Sequence, residues 1–309
     1  MKPVFAFLLL TSSLFVSAQN NDEYVALCKA FGFLHGQQST INFIKENYPE
    51  LKTKAEEANI QFDSKFGLAM SNIDTQIKKL LGDKFDYFVN SYNQQISEGF
   101  KSVNKNSIQN ASFFIEEINN RSNGYIQTPI FENILHYQYK DNPEGEFAKN
   151  YVNSYEINVI SNDKKATYSL IMPKSWKEIA TKFSQSKKFK SRMGYGNEIV
   201  TVFFSDIEGE KPSIALENNT KTQKIGNHQF IVKTSVEVDP SIDSKLKKGQ
   251  LTYSTTIKGL NINMYCHIYD KSEQELYIRM EKFEPLFESI ASSLNVVYTD
   301  EKELVTYKM

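Results

Sequence analysis

The sequence predicts an α+β protein, with an N-terminal antiparallel helical bundle followed by an antiparallel β-sheet domain closed by a C-terminal helix. Three observations predict it. From about residue 22 to 120, apolar residues recur every three or four positions and Pro49 is the only proline. Near Ser154 the apolar period changes to two. The alternating runs after that point follow one another across tight turns, Lys258-Gly259 being a hairpin signal, so neighbouring strands should be antiparallel.

The chain opens with Met1-Lys2-Pro3, an apolar run from Val4 to Val16, and then Ser17-Ala18-Gln19. A basic start, a short apolar segment and small residues make residues 1–19 an expected signal peptide. The run is too short to cross a bilayer, which takes about 18 or more apolar residues. The first cysteine, Cys28, lies too far downstream to carry a lipid anchor. The expected location of the mature protein is therefore the periplasm or the exterior.

Residues 20–120 read as the bundle. A first helix runs from about Asp22 to Asn47, and Pro49 suits the start of the next. That second helix carries Leu51, Ala55, Ala58, Phe62, Phe66, Ala69, Ile73, Ile77 and Leu80 on one seam. Gly82 stands where a left-handed cap belongs. A third helix shows Phe85, Val89, Tyr92, Ile96 and Phe100, with the stretch 104–110 a place for a bend or break before Ala111, Phe114 and Ile118. The aromatic seams are read as core, because buried rings dominate packing energetics.

Residues 121–153 are punctuated by Asn123-Gly124, Thr128-Pro129 and Asn142-Pro143, and read as a connector with short helices. Residues 154–298 form the sheet domain. Its strands are expected at 155–159, 166–172, 199–204, 224–238, 251–257 and 260–269, in one sheet. A final helix is expected from Glu284, with Pro285 in its first turn and Phe287, Ile290 and Leu294 on the buried face. Residues 299–309 are a tail.

Thirty-six basic side chains balance 37 acidic ones, for a net charge of −1. That balance speaks against nucleic acid and against a dedicated polyanion partner. Seventeen Tyr and 22 Phe describe an aromatic-rich packed protein. Two cysteines in an oxidising compartment could bridge. Cys28, however, lies on the apolar stripe of Leu27, Phe31 and Leu34, and Cys266 shares a strand face with Ile262, Met264 and Ile268. Thiols in separate cores should stay free.

The four histidines, His35, His136, His228 and His267, stand in no nucleophile or zinc signature, and no cofactor or metal is expected. Cys266 and His267 are adjacent but should face opposite sides of a strand. The carboxylates around Asp206, Glu208 and Glu210, and those of Asp141 to Glu146, are read as solvated loops.

Two features could form a recognition surface. Lys182, Lys187, Lys188, Lys190 and Arg192 cluster in an expected loop with Phe183, Phe189 and Tyr195 interleaved, and Lys187, Lys188, Lys190 and Arg192 are its expected recognition residues. Such a run either faces water or meets an anionic lipid, a glycan or an acidic protein. Tyr265, His267 and Tyr269 share the strand face opposite Cys266, and the row is either covered by another element or exposed for recognition.

The run Tyr168 to Trp176 (YSLIMPKSW) and the helix motif Phe287 to Leu294 (FESIASSL) resemble PsbP-like domains. The resemblance covers about residues 155–297 and leaves the helical half unassigned. It implies the fold shared by PsbP and the Ran-binding Mog proteins, an antiparallel sheet ending in a helix. It also implies a binding or assembly role without catalysis, and carries over no site residue.

The sequence thus reads as an exported, non-catalytic binding or assembly protein of the cell envelope. Its expected partner is another envelope or extracellular protein, with no nucleic acid and no membrane span. Two alternatives remain at this stage: a hydrolase with its site between the two domains, and an inhibitor or immunity-type protein.

Overall fold

The computed structural model of the chain describes residues 22–101, 107–161, 164–205, 219–238 and 246–299. The chain is α+β and divides into two compact units, 1–140 and 141–309. The boundary falls inside the segment 121–153.

In the first unit, α1 (Asp22–Asn47) and α2 (Lys52–Leu81) run antiparallel. The pairs Lys45–Glu56 (3.1 Å) and His35–Asp74 (2.7 Å) mark successive levels of their contact. The seam of α2 is buried at Ala55, Ala58, Phe62, Phe66, Ala69, Ile73 and Ile77, while Leu80 at its end is exposed. Burying the two Phe and two Ile side chains stabilises the unit by about 1.5–3 kcal/mol each. Pro49 opens a single 3₁₀ turn rather than α2 itself. Gly82 ends α2 with φ 53° and ψ −128°. Its φ is positive, as a left-handed cap requires, but its ψ lies outside that region, in backbone space open to glycine.

The third expected helix is two. α3 (Phe85–Lys101) and α4 (Ile108–Ser122) are separate elements, α4 starting at Ser107, whose Oγ accepts from the Asn110 N–H. α3 lies along α1 through Phe31–Tyr92 (5.3 Å) and the stacked Phe43–Phe100 pair (4.6 Å). α5 (Thr128–Gln138) lies along the second half of α2. There Phe131 meets Phe66 edge-on at 5.9 Å, and Asn72 Nδ2 donates to the Tyr137 carbonyl at 2.8 Å.

The second unit starts with α6 (Glu144–Ala148) and holds two sheets rather than one. β1 (Val152–Ser161), β2 (Lys164–Pro173) and β10 (Asn295–Thr299) form a three-stranded sheet in the order β1-β2-β10. The other strands are β3 (Lys177–Ile179), β4 (Ser186–Lys190), β5 (Glu198–Ser205), β6 (Thr220–Ile225), β7 (His228–Val238), β8 (Lys247–Ile257) and β9 (Leu260–Asp270). They make a seven-stranded antiparallel sheet in the order β3-β4-β5-β9-β8-β7-β6. The two sheets face each other across one core, where Tyr155 meets Phe189 at 4.7 Å and Tyr168 meets Phe204 at 4.0 Å.

α7 (Glu273–Ser292) also packs on that core face, and it starts eleven residues earlier than the sequence predicts. Ser272 caps it by accepting from the Glu275 N–H, so Pro285 lies mid-helix. Proline there removes one helical hydrogen bond. The position is exposed, which gives the ring room and lets water reach the carbonyl left unpaired. Phe287, Ile290 and Leu294 are buried as expected. Trp176 lies against Phe283 and Phe287 at 6.4 and 6.5 Å, so the two motifs YSLIMPKSW and FESIASSL meet in the core.

Both cysteines are free and buried, one in each unit. Burial pushes the Cys28 thiol up to about 11, despite a hydrogen bond with Tyr24 that pulls it down, and raises Cys266 well above its ordinary value. Among the described residues no helix is long and apolar enough to cross a membrane.

Candidate functional site

Period-two alternation gives each central strand of the large sheet two different faces. On β9, Leu260, Ile262, Met264, Cys266 and Ile268 are almost wholly buried in the core. Tyr265, His267 and Tyr269 take the opposite face and are half-buried. Register carries that face across the sheet. Tyr265 stands opposite Thr201 of β5 and Thr252 of β8, and His267 opposite Ile199 and Gln250. The helices and strands of this unit that pack on the large sheet meet its other face. Leu276 and Met280 of α7 lie over Gly249 there, and the small sheet reaches Phe189 and Phe204.

A connected row of rings crosses the outer face. Phe183 lies 5.6 Å from Phe203, Phe203 5.7 Å from Tyr265, Tyr265 6.4 Å from His267, and His267 6.3 Å from Tyr269. The rings meet edge-on or tilted, the arrangement aromatic quadrupoles favour. His267 Nε2 donates to Gln250 Oε1 at 2.8 Å, and Gln250 Nε2 donates to Thr252 Oγ1 at 2.9 Å. Below them Ser254 Oγ donates to Asn263 Oδ1 at 2.7 Å. The polar side chains of this face are thus held in place by one another, which reduces the ordering cost of binding.

The lysine cluster is on a strand and not in a loop. Lys187, Lys188 and Lys190 belong to β4, which the sequence reading missed because its apolar content is a single Phe189. Lys188 is opposite Thr201 and Lys190 opposite Ile199, so both join the face of Tyr265 and His267. Lys187 faces the other way, opposite Val202, and pairs with Glu178. Arg192 stands in a tight turn, Arg192–Gly194, at φ 49°, beyond the end of β4. Of the seven expected recognition residues, the structure brings five onto one face and sets Lys187 and Arg192 apart from it.

Sequence reasoning also missed Phe203, Thr201, Gln250, Thr252 and Asn263, which complete the face. Their signal was available, since each occupies the strand parity opposite to a run of buried apolar residues.

Among the described residues, the remaining side-chain clusters do not have the form of a reaction centre. His35 and Asp74 pair at 2.7 Å against the Phe31 ring. Among the described residues no serine, threonine or cysteine completes that pair, and no group of three His, Cys, Asp or Glu could hold a metal. Cys266 and His267 do lie on opposite faces. The loop carboxylates Asp206, Glu208 and Glu210 lie outside the described residues. Glu146 is not solvated as expected but 3 % exposed. It accepts from the Ser175 N–H at 2.8 Å and the Ser175 Oγ at 2.6 Å, tying α6 to the turn before Trp176.

A partly buried charge network closes the start of β5. Glu198 accepts from Ser191 and from Arg279, whose Nη1 also donates to Asp270 at 2.7 Å and to the Tyr269 carbonyl at 2.9 Å. Burial alone would raise the Asp270 carboxyl, but the hydrogen bond and charge of Arg279, with backbone N–H groups, hold it below its ordinary value.

No protein-family model matches the chain, and no curated protein matches it. Solved structures similar to part of it include two from bacteria. One is a protein of Bacteroides thetaiotaomicron, 10% identical, TM-score 0.31, over 44% of this chain and 46% of that one. The chain thus spans about half the length of that protein. The other is cyanobacterial PsbP (CyanoP) of Synechocystis sp. PCC 6803, 14% identical, TM-score 0.32, over 48% of this chain and 93% of that one.

Proposed function

We propose that this is an exported, non-catalytic binding protein of the cell envelope or exterior, whose second unit, PsbP-like in type, docks another protein on the outer face of its large sheet. The reading rests on one observation: a half-exposed row of Phe203, Tyr265, His267 and Tyr269, set among ordered amides and hydroxyls, on the sheet face opposite the one α7 packs on. Seven strands of three to eleven residues, about 4.8 Å apart and rising about 3.3 Å per residue, give a face on the order of 900 Å². A standard protein–protein interface takes about 800 Å² from each partner. Tyrosine is enriched in such interfaces, and rigid rings lose little entropy on binding. Residues 1–19, read as a signal peptide, supply the export half of the proposal. N-terminal sequencing of the secreted or periplasmic protein should begin after Ala18 or Gln19, and a mature chain starting at Met1 would remove that half.

The docking half is tested by crosslinked pull-down from the native envelope fraction. Tyr265→Ala with His267→Ala removes two central rings and should weaken capture of the partner at least about 30-fold, the effect of losing a hot spot worth 2 kcal/mol. Tyr277→Ala with Ile278→Ala, on the exposed side of α7, should leave capture unchanged. Undiminished capture by the first variant would overturn the assignment of the face.

A further inference from the structure

The lysines of the large sheet are not distributed evenly between its faces. Register places Lys177, Lys188, Lys190, Lys224, Lys233 and Lys248 on the outer face, against one described carboxylate, Glu237. On the inner parity, Lys187, Lys221 and Lys247 each pair with a glutamate: Glu178, Glu284 and Glu273. On the outer face Lys248 pairs with Glu237, but Lys177, Lys188, Lys190 and Lys224 have no ion-pair partner among the described residues. Lys177 also stands directly opposite Lys190 in the β3–β4 register. Like charges directly across a strand pair are destabilising. The chain as a whole carries a net charge of −1, so this is segregation of charge and not an excess of it.

Resting on the docking reading above, we infer that the partner surface that covers this face is acidic, the carboxylates of a folded protein meeting Lys177, Lys188 and Lys190 at the rim while the ring row packs at the centre. An anionic neighbour relieves the Lys177–Lys190 repulsion that the free protein carries. A second copy of the same face does the opposite, because a two-fold contact sets a basic patch against itself. The rings meet edge-on and tilted instead of lying as one flat platform, which fits interdigitation with protein side chains better than stacking on a sugar chain. Complementary charge of this kind acts chiefly through steering and partner selection, so binding depends on salt.

The test uses the mature full-length chain and labelled poly-L-glutamate, read by fluorescence anisotropy, with phosphatidylglycerol-containing vesicles and alginate in parallel. The wild type should bind polyglutamate at low ionic strength and about tenfold more weakly near 0.15 M salt. Lys188→Glu with Lys190→Glu should weaken binding by about tenfold or more, and Lys188→Gln with Lys190→Gln by a smaller factor. Lys52→Glu with Lys84→Glu changes net charge equally on exposed positions of the first unit and should have little effect. Each variant is checked for an unchanged Trp176 fluorescence transition.

Equal weakening by both charge-reversed pairs would overturn the inference, because binding would then follow net charge and not this face. Tighter, Lys188-dependent binding to the vesicles or to alginate would overturn it in favour of a lipid or glycan partner. If polyglutamate fails to bind while the ring variants still lose the captured protein, the face docks a partner that is not acidic, and only this inference falls.

Discussion

Replacing Phe287 by alanine should unfold the sheet unit before the helical one. Phe287 is fully buried and packs against Trp176, edge-on at 6.5 Å, and Phe283, stacked at 5.9 Å, in the core that both sheets share with α7. Truncating a buried Phe to Ala typically costs about 3–5 kcal/mol, from lost transfer energy and the cavity left behind. A whole domain holds only about 5–15 kcal/mol. For a unit of this length each kcal/mol lowers the midpoint by about 2–4 °C, so the expected fall is roughly 6–20 °C.

The assay follows from the composition. Trp176 is the single tryptophan and lies in the second unit, so its fluorescence reports that unit alone, while ellipticity at 222 nm is dominated by the helices of the first. Phe287→Ala should lower the fluorescence midpoint and leave a helical transition near its wild-type position. Ile278→Ala, on the exposed side of the same helix, should change stability by no more than about 0.5 kcal/mol. A fluorescence midpoint unchanged by Phe287→Ala would refute the placement of α7 on the core face.

Three further outcomes are expected. Ellman's reagent should find both Cys28 and Cys266 slow in the native state and both reactive in denaturant, and mass spectrometry of the unreduced protein should find no linked peptide. The folded state holds Asp270 below its ordinary value of 3.8, so its contribution is present above the unfolded value and is lost as pH falls through the folded one. The stability gap between wild type and Asp270→Asn, followed by thermal melts, should therefore be widest above about pH 4 and shrink in more acid solution. Gly196→Ala should cost about 1–3 kcal/mol in a denaturant melt, because its Cβ would fall 1.7 Å from Ser191 Oγ and 2.9 Å from the Glu198 carboxylate.

Much of the fold was legible because burial imposes a period. The extent of α1, the buried seam of α2 and the facing of Cys266 all follow from apolar spacing. What periodicity could not reveal is equally physical. β4 has one buried apolar side chain, Phe189, among its five residues, and its pairing with β5 overrides a composition that reads as a solvated loop. The start of α7 was hidden because a proline usually marks a first turn, whereas Pro285 sits at an exposed position inside the helix. The second sheet depends on β10, whose pairing with β2 spans more than 120 residues.

The candidate face was half legible. The Tyr265-His267-Tyr269 row could be placed from strand parity alone, but joining it to Lys188 and Lys190 required the register of three strands. A near-neutral total charge also concealed the basic face, since composition averages over both sides of a sheet.

The most direct test of the central claim is site-specific photocrosslinking in the native compartment. A photoreactive side chain at position 265, on the outer face, is compared with one at position 278, on the exposed side of α7. The account predicts a discrete protein adduct from position 265, lost when Lys188 and Lys190 are reversed to glutamate, and none from position 278. A discrete adduct from position 278 with none from position 265 would contradict it.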